Sequence, residues 1–440
     1  MSPRYPVPMG KDRLDAALEE LDTLINWERK DRSGGMERTL EPIHALLGRL
    51  GDPQKAWNGV LVAGTKGKGS VCALIAAGMA RAGLSVGVYA SPHVERVTER
   101  VRVDGEEVQE DDLAAALEQA LAARKTGIEA GDASGEATWF DLMTAAAFLI
   151  FRDHGVDWAV VEVGIGGRLD STRAVEAPVS VVTNVELEHV STLGSTRAAI
   201  AGEKGAVIST SGTLVTGIQS EDEEPFTVLE ALAQAAGGKL ISVPQKGTIA
   251  ERNLAIAETV LNVLGSLSAT YPECEGLWRS CLDDEAVLAA GLPGRMERFL
   301  VRGVPVVLDS GHVAASATLV LDELERDPDL GRRPKLIVAL GVEKDARSVM
   351  NAFTGRVARC LCTTAPEGRL LGEQDLAQAA FEADLDPEAW NDPREALGEA
   401  IADAEDGGGW ILVFGSFYLS AVLRDELVMA ASPDSDPIDR

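Results

Sequence analysis

The segment VLVAGTKGKGS at residues 60–70 carries residue types that could bind a phosphate group. Its three glycines let backbone N–H groups approach oxygen atoms closely, and Lys68 supplies a positive charge. Ser70 is predicted to open a helix, whose N-terminal end favours anions, and its hydroxyl could also reach Mg²⁺. The common pattern G-x-x-x-x-G-K-[ST] is not met, because Val62 stands where it needs glycine. We therefore predict a shortened phosphate loop, made of Gly64, Thr65, Lys66, Gly67, Lys68, Gly69 and Ser70.

The flanking residues predict the elements that would position this loop. VLVAG reads as a buried strand, residues 70–83 as a helix closed by Gly83, and residues 85–91 as the next strand. This βαβ unit places the glycines at its first strand-to-helix turn. A glycine-rich turn with an incidental lysine is one alternative. A dinucleotide-binding loop is another, although it would leave Lys68 unexplained.

Two series of alternating helices and strands extend along the chain. Near-continuous apolar runs are typical of strands buried on both faces of a parallel sheet. We predict helices over 12–25, 36–50, 138–153 and 250–264, and strands over 157–164, 179–185, 304–310, 335–341, 358–364 and 410–416. The segment GLPGR at 291–295 separates the two series and reads as a hinge. The sequence thus predicts an α/β protein with two domains.

The composition narrows the classes of partner. The formal net charge of −29 argues against nucleic acid and anionic membrane surfaces, because binding phosphate groups requires lysine and arginine. No apolar run is long enough to cross a bilayer, and residues 1–15 lack the apolar centre of a signal peptide, so a cytoplasmic location is expected. Five cysteines without a CxxC pair predict core thiols rather than a zinc site or disulfides.

Several segments together resemble one enzyme family. GTKGKGS is similar to the short GTNGKGS loop of the folylpolyglutamate synthase and dihydrofolate synthase family, which belongs to the Mur ligase superfamily of ATP-dependent ligases. The other matching segments follow in the same order. They are YASPHVERVTERVRVDGEEV at 89–108 for YTSPHL…NERI…DG, VVEVGIGGRLDST at 160–172 for EVGLGGRLDAT, the segment at 183–208 for TN…DH…LG…IA.EKAGII, PGRMERF at 293–299 for PGR.E, and LVFGSFYL at 412–419 for V.GSLYL.

This resemblance implies a fold and a reaction. The expected fold is a Mur-ligase-like P-loop ATPase domain with a parallel sheet over residues 1–294, followed by a smaller Rossmann-like α/β domain over 295–440 that ends in a short acidic tail. The expected reaction uses ATP and Mg²⁺ to add L-glutamate to a folate through an acyl phosphate, with dihydropteroate as another possible acceptor. The expected form is a monomer. Two alternatives are a superfamily ligase acting on a different carboxylic acid and a nucleotide-binding homologue that has lost catalysis.

The resemblance also implies metal ligands and catalytic residues. The hydroxyl of Ser70 is already one candidate metal ligand. The resemblance implies four more, namely Ser91, Glu162, His189 and a carbamylated Lys204. A carbamate would turn the cationic amine into an acidic oxygen ligand. Glu162 could instead form an ion pair with Arg168, and an unmodified Lys204 could pair with a phosphate or a carboxylate. Lys68, His189 and Lys204 are expected to act in catalysis.

The remaining candidates match family positions on the nucleotide side, and some neighbouring positions depart from the family. These candidates are Asn253, Arg295, Asp309 and His312. The family's loop asparagine is Lys66 here, and the asparagine of LDATN is Arg173. Both changes add positive charge, so we hypothesise that they hold an anionic substrate. Val313 replaces the asparagine of DGAHNP, which removes hydrogen-bonding capacity and favours the non-catalytic alternative.

Overall fold

The structure is a computed structural model that describes residues 10–26, 39–93, 96–331, 333–366 and 368–431. Most of the predicted acidic tail therefore lies outside the described residues. The described chain divides into two compact units, and the main boundary falls between Ala290 and Gly291. The domain limits 1–294 and 295–440 stay a prediction from the sequence.

The first unit is built on an eight-stranded sheet in the order β4-β3-β2-β5-β1-β6-β7-β8. Six neighbouring strands run parallel to one another, namely β2, β5, β1, β6, β7 and β8. Strands β3 and β4 pair antiparallel at one edge of the sheet. The strands are β1 (Asn58–Ala63), β2 (Val86–Tyr89), β3 (Val101–Val103), β4 (Glu106–Glu107), β5 (Trp158–Glu162), β6 (Val179–Val182), β7 (Thr213–Thr216) and β8 (Lys239–Ser242).

Helices cover both faces of this sheet. Side chains alternate along a strand, so Leu61 and Ala63 of β1 enter one apolar core while Val60 and Val62 enter the other. The helices are α1 (Gly10–Asp22), α2 (Glu41–Arg49), α3 (Lys68–Arg81), α4 (Glu110–Ala130), α5 (Trp139–His154), α6 (Val190–Leu193), α7 (Arg197–Gly205), α8 (Glu223–Ala235), α9 (Ile249–Ser266) and α10 (Asp284–Ala289). Helices α3 and α9 cover one face, whereas α4, α5 and α7 cover the other. This arrangement explains why the central strands are apolar on both sides.

The strand order places the end of β1 at a topological switch point. The chain leaves β1 for β2 and β5 on one side, and later passes to β6 on the other side. Since these strands are parallel, the loops after β1, β5 and β6 emerge at the same edge of the sheet. Ligands of open α/β sheets bind at such an edge.

The second unit has a six-stranded sheet in the order β13-β12-β11-β14-β10-β9. All of its pairings are parallel except that of β9 with β10. Its elements are β9 (Glu297–Val301), β10 (Val304–Asp309), α11 (Ala314–Leu324), β11 (Lys335–Val338), α12 (Ala346–Asn351), β12 (Arg359–Thr363), α13 (Glu373–Phe381), β13 (Pro387–Trp390), α14 (Pro393–Gly407), β14 (Ile411–Phe414) and α15 (Phe417–Ala430). Two apolar cores, one on each face, show that this sheet is also buried on both sides.

The predicted α/β class and the parallel sheets are confirmed. Most predicted elements are present, but the strands end earlier than predicted: the strand expected over 179–185 stops at Val182. The helix expected to open at Ser70 begins at Lys68, so Ser70 lies inside its first turn. No helix in the described part of the chain is both long and apolar enough to cross a membrane.

Candidate functional site

The predicted phosphate loop, residues 64–70, directly follows β1 and includes the first three residues of α3. Gly64 has φ +149° and Gly67 has φ +78°, so both lie in the region that favours glycine. A Cβ on Gly64 would lie 1.8 Å from Oγ1 of Thr183, and a Cβ on Gly67 would lie 2.7 Å from Oδ1 of Asn253. The loop is therefore closely packed, and Asn253 lies against the loop as well as being a nucleotide-side candidate.

The loop is fixed by the segment that follows β6. Asn184 accepts a hydrogen bond from the Lys66 N–H through Oδ1 (2.9 Å) and donates one from Nδ2 to the Lys66 carbonyl oxygen (3.0 Å). The Thr183 hydroxyl donates to the same carbonyl (2.6 Å), and the Thr65 hydroxyl accepts from the N–H of Glu186 (3.0 Å). These bonds fix Thr65 and Lys66 against the segment that follows β6.

Lys68 is the first residue of α3 and forms an ion pair with Glu162, the last residue of β5. Nζ of Lys68 lies 3.7 Å from Oε1 of Glu162, whose side chain is 5% exposed. The other carboxylate oxygen, Oε2, accepts a hydrogen bond from the N–H of Ser91 (3.1 Å). The parallel register of β1 and β5 pairs Val62 with Glu162, which explains how a strand-end acid reaches the loop. Burial of a carboxylate is costly unless it is compensated by charge and hydrogen bonds, as it is here.

The structure settles the partner of Arg168. Its guanidinium Nε lies 2.8 Å from Oε1 of Glu203, which is the pair it forms. The ion pair with Glu162 that the sequence left open is therefore not formed.

Lys204 lies on α7, and its amine contacts the first residue of the predicted phosphate loop. Nζ donates to the carbonyl oxygen of Gly64 (2.7 Å), and the residue is 5% exposed. Burial, and next the nearby positive charge of Lys68, lower the pKa of Lys204 to about 7. Much of this amine is therefore neutral near neutral pH, which is the form that can react with CO₂.

His189 follows the loop-fixing segment and caps α6. Its φ of +50° is uncommon for a residue other than glycine, and its carbonyl oxygen accepts hydrogen bonds from Thr192 and Leu193. The residue is exposed at the same sheet edge as the phosphate loop. A residue held in such a conformation depends on its surroundings for support.

The side chains near the predicted phosphate loop include few of the ligands that Mg²⁺ uses. Within the described ranges, no group of three or more His, Cys, Asp or Glu side chains is placed to bind a metal. Mg²⁺ keeps several waters and commonly binds through one or two carboxylates together with substrate phosphates. One buried carboxylate, that of Glu162, beside a phosphate loop fits this requirement. Ser70 lies in the first turn of α3, and Ser91 is brought to Glu162 by its backbone N–H.

Three predicted nucleotide-side residues lie in the second unit. Asp309 is 7% exposed and accepts hydrogen bonds from the N–H groups of Gly311 (2.8 Å) and Met296 (3.1 Å), so it orders the loop around it. The guanidinium carbon of Arg295 lies 4.7 Å from the ring centre of Phe417, and the ring of His312 lies 6.3 Å from the same centre. Two of the candidates therefore lie near the ring of Phe417. Phe417 itself is not among the site residues predicted from the sequence.

Arg173 has a different environment from the one expected. Its Nε donates to the carbonyl oxygen of Ala206 (2.9 Å), and its Nη2 donates to that of Ile208 (3.4 Å). These carbonyls follow α7, the helix that carries Lys204. The contacts support a structural role and do not support the hypothesis that Arg173 holds an anionic substrate.

We expect Arg173→Ala to lower the free energy of unfolding by about 1–3 kcal/mol, because two partly buried carbonyl groups would lose a charged donor. KM should stay unchanged for every substrate. Urea denaturation and steady-state kinetics would check both. An increased KM for one anionic substrate at unchanged stability would instead favour the anion-binding hypothesis.

Comparisons with known proteins agree with this geometry. Residues 294–417 match the family model of the Mur ligase, glutamate ligase domain. A probable bifunctional folylpolyglutamate synthase/dihydropteroate synthase of Haloferax volcanii is 34% identical over 89% of this chain, which spans about half (49%) of that relative's length. The Mycobacterium tuberculosis folylpolyglutamate synthase complexed with ADP superposes with a TM-score of 0.79 at 26% identity, covering 98% of this chain and 100% of that one. The Yersinia pestis bifunctional folylpolyglutamate synthase/dihydrofolate synthase complexed with AMPPNP and Mn gives 0.75 at 26% identity, covering 96% and 100%.

The predicted phosphate loop lies at the switch point of a parallel sheet, and the same chain contains the match to a glutamate ligase domain, a combination similar to that of the Mur ligase superfamily of ATP-dependent ligases. Both structures are matched over nearly their whole length. Over most of its length, the chain is similar in sequence and in fold to members of the folylpolyglutamate synthase/dihydrofolate synthase family.

Proposed function

We propose that this protein uses ATP and Mg²⁺ to join L-glutamate to a folate-type carboxylic acid. The acid would attack the γ-phosphate of ATP to give an acyl phosphate, and the glutamate amine would then displace phosphate to leave an amide. The observation that carries the proposal is the ion pair between Lys68 of the phosphate loop and the buried Glu162. It joins one cation and one acid, the two charges that a site for phosphate and metal would need.

The loop and its lysine would bind and orient the phosphates. The first turn of α3 has backbone N–H groups that would bind phosphate oxygens, and Lys68 would supply charge that stabilises the additional negative charge of phosphoryl transfer. The fixed contacts of Thr65 and Lys66 keep these donors in place before substrate binds. Such preorganisation avoids reordering the donors at the moment of reaction.

Glu162, Ser70, Ser91, His189 and Lys204 are the proposed metal ligands. Bound Mg²⁺ would supply charge neutralisation of the phosphate oxygens. Glu162 has both the position and the burial for this role. Imidazole is an unusual ligand for Mg²⁺, so the role of His189 rests on the family resemblance.

The nucleotide-side residues complete the proposal. Asn253 lies against Gly67 of the loop, so it is placed to touch a bound nucleotide. In the second unit, Arg295 and His312 lie beside Phe417, and Asp309 accepts hydrogen bonds from the N–H groups of their neighbours Met296 and Gly311. We propose that these residues contact the nucleotide.

We propose that Lys204 is carbamylated. The neutral amine attacks CO₂, an N–C bond forms, and one proton is released to solvent, which leaves an anionic carbamate that could meet a metal. Because the pKa of Lys204 is lowered to about 7, the reactive neutral fraction rises as the pH increases through that value.

We expect ¹³C-bicarbonate to give a carbamate NMR signal at pH 8 that fades as the pH falls below about 7, since the amine then holds its proton. Lys204→Met is the matched control and should give no signal. A signal of the same size in that variant would show that the carbamate lies on another amine.

The direct test of the proposed function is a mass-spectrometric product assay. Purified protein would be given ATP, Mg²⁺ and L-glutamate with either tetrahydrofolate or dihydropteroate. A product heavier by one glutamyl group, with ADP and phosphate released only when acid and amine are both present, is the expected result. ATP hydrolysis without either would indicate a switch NTPase. Nucleotide binding without any release would support the non-catalytic alternative that Val313 raised.

A further inference from the structure

The segment that carries His189 contacts the phosphate loop through one ion pair in addition to its hydrogen bonds. Nζ of Lys66 lies 3.2 Å from Oε1 of Glu188. The side chains are 24% and 14% exposed, so the pair is largely withdrawn from water. Ion pairs of this kind are screened less than pairs on an open surface.

Two departures from the family motifs meet in this pair. The loop motif has asparagine where this chain has Lys66, and the Asp-His of the second motif is Glu188-His189 here. One change adds a cation, and the other keeps the acid on a longer side chain. The contact between them indicates that the two positions act together.

Hydrogen bonds fix the backbone of Lys66. Its N–H donates to Oδ1 of Asn184, and its carbonyl oxygen accepts from Thr183 and Asn184. Both the N–H and the carbonyl group of Lys66 are thus held in place. Its ion pair can therefore hold the side chain of Glu188 in a defined position. Glu188 in turn directly precedes His189, whose φ of +50° needs support from its surroundings.

We infer that Lys66 and Glu188 are a positioning pair that holds His189 at the correct place beside the phosphate loop. Lys66 therefore acts through Glu188 rather than as a direct phosphate ligand. The inference rests on the proposed function, because it concerns the metal and nucleotide site of that reaction. Residues that orient metal ligands commonly affect metal affinity by about 10- to 100-fold.

A double-mutant cycle tests the pair. Lys66→Gln, Glu188→Gln and the double variant would be titrated with Mn²⁺ in the presence of saturating ADP, using calorimetry, and with ADP alone. Each single variant should weaken Mn²⁺ binding by about 10-fold, and the double variant by about the same factor, because both changes remove one interaction. ADP binding without metal should change to the same extent in the two single variants, because either one removes the same pair.

Two further variants separate positioning from general structural damage. Lys66→Arg keeps the charge and should restore Mn²⁺ binding to within about 3-fold. Lys55→Gln removes a matched but exposed pair, that of Lys55 with Asp52 (2.8 Å), and should leave Mn²⁺ binding unchanged. Kinetics should show a higher Mg²⁺ concentration for half-maximal rate, with kcat at saturating Mg²⁺ changed much less.

The opposite outcomes are equally distinct. If the fold-changes in Mn²⁺ binding of the two single variants multiply in the double variant, the residues act independently. The inference would then be overturned. Weaker binding of ADP alone in Lys66→Gln but not in Glu188→Gln would make Lys66 a direct phosphate ligand, which also overturns it. If the unmodified protein binds neither ADP nor Mn²⁺, the proposed function itself fails, and this is visible before any variant is compared.

Discussion

Lys68→Ala should lower kcat/KM by about 100- to 1,000-fold, the effect typical of removing one group that stabilises charge in a transition state. Lys68 is the first residue of α3 and directs its amine toward Glu162 at 3.7 Å. Its removal takes away the cation nearest the proposed phosphate position and leaves that buried carboxylate without this partner. Initial rates of ADP release in the presence of acid and amine would measure the effect.

An exposed lysine provides the control for this variant. Lys239 is the first residue of β8. It therefore lies at the amino ends of the parallel strands, whereas residues 64–70 lie at their carboxyl ends. Lys239→Ala should keep the full rate. Normal turnover by Lys68→Ala would refute the assignment of residues 64–70 as the phosphate loop.

Glu162→Gln should reduce turnover by at least about 100-fold, because a metal that neutralises phosphate charge contributes several kcal/mol. The amide has the same shape and can still accept the hydrogen bond from Ser91, so the fold should be preserved. The lost charge should also raise the Mg²⁺ concentration needed for half-maximal rate. Glu162→Ala should give a loss at least as large.

Glu273→Gln is a matched control for this change. Glu273 accepts hydrogen bonds from Asn58 (2.9 Å) and Trp158 (3.2 Å), which begin β1 and β5. It therefore lies at the other end of the strands that hold Val62 and Glu162. An unchanged Mg²⁺ requirement in Glu162→Gln, or the same increase in both variants, would contradict the role of Glu162 as a metal ligand.

The fold could be predicted from the sequence because its signals are local. Apolar runs such as residues 157–164 predicted strands buried on both faces, and the glycines after β1 predicted the strand-to-helix turn. The limits of elements were less accurate where side chains intervene. Strand β6 stops at Val182 because Thr183 and Asn184 turn toward the phosphate loop and bond to Lys66.

Partners of charged side chains could not be predicted in the same way. The sequence allows an ion pair between Glu162 and Arg168, but the sheet register brings Lys68 to Glu162, and Arg168 pairs with Glu203. Arg173 likewise bonds to carbonyls beyond α7, which no spacing along the chain reveals. Such pairs depend on which elements become neighbours in the folded chain.

The most direct test is a crystal structure of this protein with AMPPNP and Mg²⁺. We expect the terminal phosphate within hydrogen-bonding distance of the backbone N–H groups of the loop at residues 64–70 and of Nζ of Lys68, with the cation bound by the carboxylate of Glu162. A nucleotide bound at another edge of the sheet, with Gly67 and Glu162 free of phosphate and metal, would contradict it.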